Sequence, residues 1–288
     1  MNVRKALRHG AAMTHASRDA SRDASLLLCR ALGKDRSWLM AHPEECLSVA
    51  QAWQYEQWLA RRAQCEPMQY ILGEQEFYGL RLAVSPAVLI PRPETEHLVE
   101  AALALVSSGE PVRIADVGTG SGAIAVALAC AQPLAQLTAL DLSQAALQIA
   151  RSNAEAHAVS DRVRFLESDL LAAVAGERFD IIVSNPPYVP STEQLEPQVR
   201  DWEPHTALFA GEDGLAIYRR LIPQAREALV AGGWLLLEIG HGQRASVQAL
   251  LEAWESVRFV ADLQGIARVA VARKSQDHSA RLAATSGA

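Results

Sequence analysis

The sequence predicts an α/β fold with a mostly parallel, seven-stranded sheet, preceded by a small all-helical region. From residue 112 onward, apolar strand-like segments alternate with helical patterns, which is typical of a parallel sheet covered on both faces. A glycine-rich turn follows the first of these segments, as in folds that bind nucleotides. Residues 1–75 show only helical periodicity with short connectors, which indicates a separate helical domain.

The expected strands and helices follow from this alternation. Strands are predicted at 112–117, 137–141, 163–166, 179–184, 234–239, 258–261 and 267–272. Helices are predicted at about 122–131, 143–157, 214–229 and 243–253. No long helix separates the last two strands, so we expect an antiparallel hairpin at the sheet edge. The predicted domains are a helical domain at 1–75, a β-hairpin linker at 76–91, an α/β domain at 92–274 and a flexible tail at 275–288.

Composition and charge narrow the class of protein. Half of the 288 residues are hydrophobic, 21% are charged and the formal net charge is −6, which is typical of a soluble globular enzyme. Non-specific binding to nucleic acid is disfavoured because it needs clustered cations. We find no signal peptide, and glycine and proline interrupt the uncharged stretch at 117–140, which argues against a membrane span.

The four cysteines favour a reducing compartment. Cys29, Cys46, Cys65 and Cys130 form no C-x-x-C pair, and none has a histidine at metal-ligand spacing. We therefore expect free thiols, no disulfide framework, no metal site and a cytoplasmic location.

The glycine-rich turn, residues 118–122, predicts a cofactor site. It consists of Gly118, Thr119, Gly120, Ser121 and Gly122. Glycines let the backbone turn tightly and approach a ligand closely. Asp141 ends the next strand, where an acid can hold the two hydroxyl groups of a ribose. The unit predicts a nucleoside-bearing cofactor, which is either NAD or S-adenosylmethionine.

Two acidic positions favour S-adenosylmethionine. Asp116, at the end of the strand before the turn, would place negative charge near the cationic methionine end of that cofactor. Asp169, followed by Leu170, comes after the third strand, where a carboxylate could accept a hydrogen bond from the adenine amino group. An aspartate after a strand is also a common cap, so neither position decides the cofactor alone.

The acceptor motif, residues 185–188, is the most specific signal in the chain. Asn185, Pro186, Pro187 and Tyr188 follow an apolar strand. The prolines remove two backbone donors, which leaves the Asn185 side-chain oxygen and the Pro186 carbonyl as acceptors beside the flat face of Tyr188. This array suits a planar –NH2 group, which offers two donors. Carbonyl dipoles would also stabilise positive charge on a nitrogen that is being methylated.

Together these motifs resemble the protein-(glutamine-N5) methyltransferases that modify bacterial release factors, the HemK/PrmC type. The resemblance extends from about residue 24 to residue 273. It includes Val-Leu-Ile-Pro-Arg-Pro-Glu-Thr-Glu at 88–96, the glycine-rich turn, the acceptor motif and Glu-Ile-Gly at 238–240. It implies a class I, Rossmann-like methyltransferase domain that uses S-adenosyl-L-methionine and releases S-adenosyl-L-homocysteine. The implied acceptor is the side-chain amide of the glutamine in the Gly-Gly-Gln motif of peptide chain release factors.

The resemblance also assigns roles to residues. The glycine-rich turn, Asp141 and Asn185 match cofactor contacts, and the acceptor motif matches the substrate motif. Arg92 and Glu94 belong to a block that borders the active site and are expected to bind substrate. Leu170 stands where some members carry a tryptophan near the adenine.

The helical domain carries no catalytic constellation, so we expect it to dock the protein substrate. Trp38, Trp53 and Trp58 are expected to pack between its helices. Nothing in the sequence indicates an obligate oligomer, and we expect a monomer with no direct nucleic-acid substrate.

Four alternatives remain open. N6-adenine and N2-guanine nucleic-acid methyltransferases share the acceptor motif, although they need a phosphate-binding surface and this chain has no dense run of Lys and Arg. The motifs poorly distinguish a release factor enzyme from a methyltransferase that acts on a glutamine of a ribosomal protein. A non-catalytic adapter would be expected to have lost one of the two motifs. An NAD dehydrogenase would leave the acceptor motif unexplained.

Overall fold

The computed structural model describes residues 1–14, 19–106 and 109–276, and these form two compact units. The helical unit comprises Met1–Gly73 and Leu195–Trp202. The α/β unit comprises Glu74–Gln194 and the chain from Glu203 onward. The segment Leu195–Trp202 thus belongs with the helices although it follows the acceptor motif in the chain, which the sequence did not predict. Residues 277–288, most of the predicted tail, lie outside the described part.

Capping residues define the helices of the helical unit. Asp35 accepts a hydrogen bond from the backbone of Trp38. Ser48 and Gln51 form a capping box, in which each side chain accepts a hydrogen bond from the other residue's backbone N–H. The helices are Val3–Met13, Ala20–Leu32, Arg36–Ala41, Val49–Ala63, Met68–Leu72 and the short Pro197–Arg200.

The core of the helical unit surrounds Tyr55, which is fully buried. Its hydroxyl lies 3.2 Å from the carbonyl oxygens of Ala6 and Ala24, so it ties three helices together. Trp38 and Trp58 pack against this core, as predicted. Trp53 has 62% of its surface exposed, so the packing prediction is wrong for that residue.

The α/β unit begins with a tight hairpin, β1 (Glu74–Phe77) and β2 (Leu80–Ala83). Tyr78 and Gly79 both have positive φ, which is the geometry of a two-residue turn that matches strand twist. The predicted linker at 76–91 is therefore only partly a hairpin. No strand continues through the proline-containing stretch at 84–91, where Pro86 and Pro91 cannot donate ladder hydrogen bonds.

A seven-stranded sheet forms the centre of the α/β unit, as the sequence predicts. The strands are β3 (Val112–Val117), β4 (Ala135–Asp141), β5 (Val163–Glu167), β6 (Phe179–Ser184), β7 (Leu229–Glu238), β8 (Glu255–Ala261) and β9 (Ala267–Arg273). Their order is β5-β4-β3-β6-β7-β9-β8, and β9 alone runs in the direction opposite to the other six strands. The predicted edge hairpin is thus confirmed.

Helices cover both faces of this sheet, which explains its nearly continuous apolar strands. The principal helices are Glu96–Leu103, Ala123–Ala131, Gln144–Ala156, Ala216–Ala228 and Arg244–Leu250. One buried cluster includes the fully apolar helix Ala123–Ala131, and a second includes the inner face of Ala216–Ala228. Within the described residues, no helix has the length and apolar character to cross a bilayer.

The strand order places the two sequence motifs side by side. β3 lies between β4 and β6, so the chain changes direction across the sheet at β3. The glycine-rich turn follows β3 and the acceptor motif follows β6, both at the carboxyl edge of the sheet. Ligands bind at such switch points in open α/β sheets. Ser184 also holds the two strand ends together, because its hydroxyl donates to the Val117 carbonyl at 2.6 Å.

Gly122→Ala is expected to lower the free energy of unfolding by about 2–3 kcal/mol, because two penalties add. Gly122 has φ +80°, and an added Cβ would lie 3.0 Å from the Ala150 Cβ. Gly265→Ala is a matched control, because its φ is also +80° but no heavy atom lies within 4 Å of an added Cβ. Urea denaturation should show a smaller decrease in the free energy of unfolding for Gly265→Ala than for Gly122→Ala. Equal decreases would show that the contact with Ala150 adds no penalty to that of the positive φ.

Candidate active site

The glycine-rich turn leaves open space in front of its backbone. Gly118 and Gly120 have φ of +76° and +55°, and a Cβ added at either would meet no heavy atom within 4 Å. From behind, the Leu140 carbonyl accepts hydrogen bonds from the N–H groups of Gly118 and Thr119, at 2.8 and 2.9 Å. The turn is therefore held by the next strand while its outer side can receive a ligand.

Asp141 links this turn to the end of β4. Its Oδ2 accepts from the Gly120 N–H at 2.8 Å, and its Oδ1 accepts from the Ser143 N–H at 2.9 Å. The residue is half-buried. Each carboxylate oxygen has two lone pairs, so both oxygens can still accept from the hydroxyl groups of a ribose.

Asp116 lies fully buried beneath the turn. Its Oδ2 accepts from the Thr119 hydroxyl at 2.6 Å, whereas its Oδ1 has no hydrogen-bond partner among the described residues. Burial raises the pKa of Asp116 to about 7, against the lowering effect of Thr119. The carboxyl is therefore not the simple negative charge that the sequence suggests. A cationic group beside Oδ1 would favour its ionised form, which fits the sulfonium end of S-adenosylmethionine.

Asp169 and Leu170 follow β5 at the same edge. The Asp169 carboxylate is half-exposed, and its Oδ2 accepts from Arg220 at 2.6 Å. Leu170 has φ +54° and packs against the buried cluster of that face. Their contact with an adenine stays a prediction, and Arg220 is a neighbour that the sequence did not indicate.

The acceptor motif is held by contacts on both sides. Pro186 is buried, whereas Asn185 and Tyr188 are half-buried. The Asn185 Nδ2 donates to the Thr95 hydroxyl oxygen at 3.1 Å. Because that bond uses the amide nitrogen, the amide oxygen lies on the other branch of the side chain.

The backbone of Tyr188 packs tightly against its surroundings. Its carbonyl oxygen accepts from the Gln243 Nε2 at 3.0 Å. A Cβ added to Gly214 would lie 2.2 Å from the same oxygen, so no side chain fits at position 214. Burial raises the pKa of the Tyr188 hydroxyl, which stays protonated at neutral pH.

Glu238 belongs to the segment 238–240 that carries the resemblance, but the sequence analysis gave it no role in the site. It ends β7 next to β6, and only 2% of its surface is exposed. The Tyr188 hydroxyl lies 3.5 Å from its Oε1, and its Oε2 has no hydrogen-bond partner in the described part of the chain. Burial raises the pKa of Glu238 to about 7. The available signal was an acid at the end of an apolar strand that reaches the same sheet edge.

Arg92 and Glu94 differ in their surroundings. The Arg92 Nη2 donates to the Oε1 of buried Glu203 at 2.6 Å, and the Oε2 of Glu203 accepts from the Ile90 N–H at 3.2 Å. The guanidinium thus anchors the segment before the first helix of the α/β unit. Glu94 lies close enough to Glu238 to raise the pKa of that carboxyl. Substrate binding by Arg92 and Glu94 stays a prediction.

Glu203→Ala is expected to lower the free energy of unfolding by about 2–3 kcal/mol, because it leaves a partly buried guanidinium and the Ile90 N–H without their partner. Glu177→Ala is a matched control, since Glu177 pairs with Arg164 at the same 2.6 Å but is 43% exposed. In urea denaturation, the free energy of unfolding of the control should fall by less than about 1 kcal/mol. Equal losses would show that burial of the pair is unimportant.

Among the described residues, no group of three or more His, Cys, Asp or Glu side chains is arranged to hold a metal ion. The residues that surround the open turn instead fit an organic cofactor. These residues are Asp116, which is hydrogen-bonded to Thr119 of the turn, and Asp141, which is hydrogen-bonded to Gly120 of the turn.

Two family profiles match the chain. The profile described as the PrmC N-terminal domain matches residues 5–73, and the methyltransferase small domain matches residues 96–200. The first covers most of the helical unit. The second covers the part of the α/β unit that carries the glycine-rich turn and the acceptor motif.

Curated proteins named release factor glutamine methyltransferase are similar to the chain over most of its length. The protein from Koribacter versatilis is 49% identical over 254 residues, which are 87% of this chain and 90% of the relative. That from Coxiella burnetii is 42% identical over 91% of this chain and 95% of the relative. That from Escherichia coli is 40% identical over 94% of this chain and 98% of the relative.

Solved methyltransferase structures share the fold. The hMettl16 catalytic domain, solved with a MAT2A 3'UTR hairpin, has a TM-score of 0.57 and 19% identity, over 77% of this chain and 82% of that chain. The T. thermophilus 16S rRNA N2 methyltransferase RsmC, in complex with AdoMet and guanosine, has a TM-score of 0.53 and 21% identity, over 70% of this chain and 49% of that chain. At this identity the likeness concerns the fold alone.

Proposed function

The chain belongs to the family of release factor glutamine methyltransferases, and from this membership we propose the reaction that it catalyses. It transfers a methyl group from S-adenosyl-L-methionine to the side-chain amide nitrogen, N5, of the glutamine in the Gly-Gly-Gln motif of bacterial peptide chain release factors. S-adenosyl-L-homocysteine is the second product. The single observation that carries the proposal is the acceptor motif at the end of β6, directly beside the glycine-rich turn at the end of β3.

The cofactor site is proposed at the open side of the glycine-rich turn. Gly118 and Gly120 let the cofactor approach the backbone, and Asp141 accepts from its ribose hydroxyl groups. The Asp116 Oδ1 has no hydrogen-bond partner among the described residues and the pKa of the Asp116 carboxyl is raised, so a cation nearby would stabilise its ionised form. When bound, S-adenosyl-L-methionine supplies an electrophilic methyl group on a positively charged sulfur.

The acceptor site is proposed at the acceptor motif. The Asn185 Oδ1 and the Pro186 carbonyl accept the two amide hydrogens of the substrate glutamine, which orients its nitrogen. Tyr188 packs against the planar amide. As the nitrogen–methyl bond forms, the sulfur–methyl bond breaks and positive charge grows on this nitrogen, where the two pre-placed oxygens stabilise it. The methylated nitrogen cation is strongly acidic, so it then releases one N–H proton to solvent and needs no strong base. Fixing the acceptor in line supplies several kcal/mol of the barrier, within the roughly 7–11 kcal/mol known for well-oriented reactions.

The helical unit is proposed to dock the release factor. Large apolar side chains stand exposed on it: Met40 is 77% exposed, Val49 89% and Trp53 62%. Val49 and Trp53 lie one turn apart on the helix Val49–Ala63, so they share a face. Exposed aromatic side chains of this kind supply much of the energy of protein interfaces.

Trp53→Ala is expected to raise KM for the release factor about tenfold with little change in kcat, because it removes an exposed aromatic anchor and no catalytic group. Leu263→Ala is a matched control, since Leu263 is a fully exposed apolar residue in the turn between β8 and β9. Steady-state methylation with varied release factor measures both constants. Identical kinetics for Trp53→Ala and Leu263→Ala would remove the docking role of this face.

The remaining features of the proposal concern partners and location. The enzyme acts as a monomer in the cytoplasm, where release factors work, and has no nucleic-acid substrate. The net charge of −6 and the absence of a dense Lys and Arg run in the sequence support this preference for a protein acceptor.

The test is methyl transfer from labelled S-adenosyl-L-methionine to a purified release factor. A copy with the Gly-Gly-Gln glutamine changed to alanine is the control acceptor, and DNA, ribosomal RNA and ribosomal proteins are parallel acceptors. Label on the intact release factor alone is the expected result. Label on a nucleic acid or a ribosomal protein, with none on the release factor, would show that the proposed acceptor is wrong. The assignment of methyltransferase activity would still stand.

A further inference from the structure

A buried carboxylate reaches the acceptor motif through one hydroxyl group. Thr95 and Glu238 have 4% and 2% of their surfaces exposed. The Thr95 hydroxyl oxygen accepts from the Asn185 Nδ2 at 3.1 Å. Thr95 also lies close enough to the Glu238 carboxylate to lower the pKa of that group, and the Glu238 Oε2 has no hydrogen-bond partner among the described residues. Neither Thr95 nor Glu238 has a role in the reaction described above.

The hydrogen-bonding capacities of these groups decide which group donates and which accepts in the series Asn185, Thr95 and Glu238. An ionised carboxylate only accepts, so a hydrogen bond between these two buried groups must be donated by the single Thr95 proton. The Thr95 oxygen can then only accept from Asn185. That choice requires the Asn185 amide to present its nitrogen to Thr95 and its oxygen on the other side.

The two orientations of the Asn185 amide have opposite effects on a substrate –NH2 group. With Oδ1 presented, the amide accepts a substrate hydrogen. With Nδ2 presented, two donors would face each other, and the substrate hydrogen would have no partner. Asparagine oxygen and nitrogen have nearly the same shape, so packing alone distinguishes the orientations poorly. Hydrogen bonding must select between them.

We propose that Glu238 and Thr95 are positioning residues that keep the Asn185 amide oxygen directed at the substrate amide through the chain Asn185 to Thr95 to Glu238. The inference rests on the proposed function and adds to it the group that orients the acceptor motif. It also gives a role to a buried carboxylate, which would otherwise only cost stability.

The charge state of Glu238 controls the direction of these hydrogen bonds. Burial and the nearby Glu94 raise its pKa, while Thr95, Arg268 and the Tyr188 hydroxyl lower it, and the result is about 7. On the remaining side, the Tyr218 hydroxyl donates to the Glu238 backbone carbonyl at 2.7 Å. A protonated Glu238 can donate to Thr95, which then loses its fixed direction. The oriented state is therefore present above about pH 7 and is lost as pH falls.

The first test compares Thr95→Val with Thr95→Ser. Valine keeps the shape of threonine without its hydroxyl, whereas serine keeps the hydroxyl without the methyl group. We expect Thr95→Val to lower kcat at least tenfold with KM for the release factor nearly unchanged, and Thr95→Ser to stay within about threefold of wild type. A purely structural Thr95 would give the reverse ranking, because valine packs better, and that ranking would overturn the proposal.

The second test is the pH profile of kcat for the wild type and Glu238→Gln, with both substrates saturating. The wild-type kcat should fall as pH is lowered through about 7, whereas Glu238→Gln should start lower and show no such limb, since glutamine does not titrate. Asp116 also has a pKa raised to about 7, but its titration should appear in KM for S-adenosyl-L-methionine. An acid limb that persists in Glu238→Gln would overturn the role of Glu238.

Thermal unfolding and calorimetric binding of S-adenosyl-L-methionine complete the design. Each variant should bind the cofactor as the wild type does, which shows that it is folded. If the wild type methylates the release factor but the variants rank in reverse, only the positioning role fails. If the wild type transfers no methyl group to the release factor, the proposed function fails and the positioning role with it.

Discussion

Asn185→Ala is expected to lower kcat about a thousandfold, with only a modest rise in the dissociation constant for S-adenosyl-L-methionine. The substitution removes the oxygen that is proposed to orient the acceptor amide and to stabilise the charge that develops on its nitrogen. Loss of one such pre-placed group costs about 10²–10³ in kcat in well-studied enzymes, and here orientation is lost as well. Single-turnover methylation of the release factor measures the chemical step directly.

The control for this variant is Gln264→Ala, which removes an exposed amide in the turn between β8 and β9. It should retain wild-type turnover. Calorimetry and thermal unfolding should show that Asn185→Ala still folds and binds the cofactor. Near-normal turnover in Asn185→Ala would remove the proposed mechanism and leave the fold and the cofactor site as they are.

Asp141→Ala is expected to act on the cofactor instead. The dissociation constant for S-adenosyl-L-methionine should rise by about 10- to 100-fold, since hydrogen bonds to a charged group contribute roughly 1.5–3 kcal/mol each. The substitution also releases the Gly120 N–H, which loosens the glycine-rich turn. At saturating cofactor, kcat should fall far less than in Asn185→Ala, because the acceptor motif is unchanged.

Glu252→Ala is the control for Asp141→Ala, since Glu252 is an exposed acid after the helix Arg244–Leu250. Titration calorimetry on the full chain measures both dissociation constants. An unchanged constant for Asp141→Ala would mean that the ribose contact is misplaced. A large loss of kcat at saturating cofactor would instead tie Asp141 to the transfer step.

Much of the fold could be predicted because it depends on local patterns. The seven strands follow from apolar runs bounded by turns, and the edge hairpin follows from the missing helix between β8 and β9. Asp141 could be placed beside the glycine-rich turn because the carboxyl ends of parallel strands share one edge. These inferences need only periodicity and general rules of sheet topology.

Other features depend on contacts that no local pattern encodes. The sequence did not reveal that Arg92 pairs with Glu203, 111 positions away, or that Asp169 pairs with Arg220. Trp53 was expected in the core because aromatic residues usually pack, yet it stands on the outer side of its helix. The segment Leu195–Trp202 has too little periodicity to indicate that it joins the helical unit.

The sequence by itself determined the α/β class and the places of the glycine-rich turn and the acceptor motif after their strands. Glycine and proline act on their own backbone, so their effect can be deduced from the residues in order. Only the tertiary structure decided which side chains stand behind the acceptor motif. Thr95 lies 90 positions from its hydrogen-bond partner Asn185. Glu238 reaches the Tyr188 hydroxyl only because β7 pairs with β6. The proposed orientation of the Asn185 amide depends on this long-range packing, which a linear pattern does not specify.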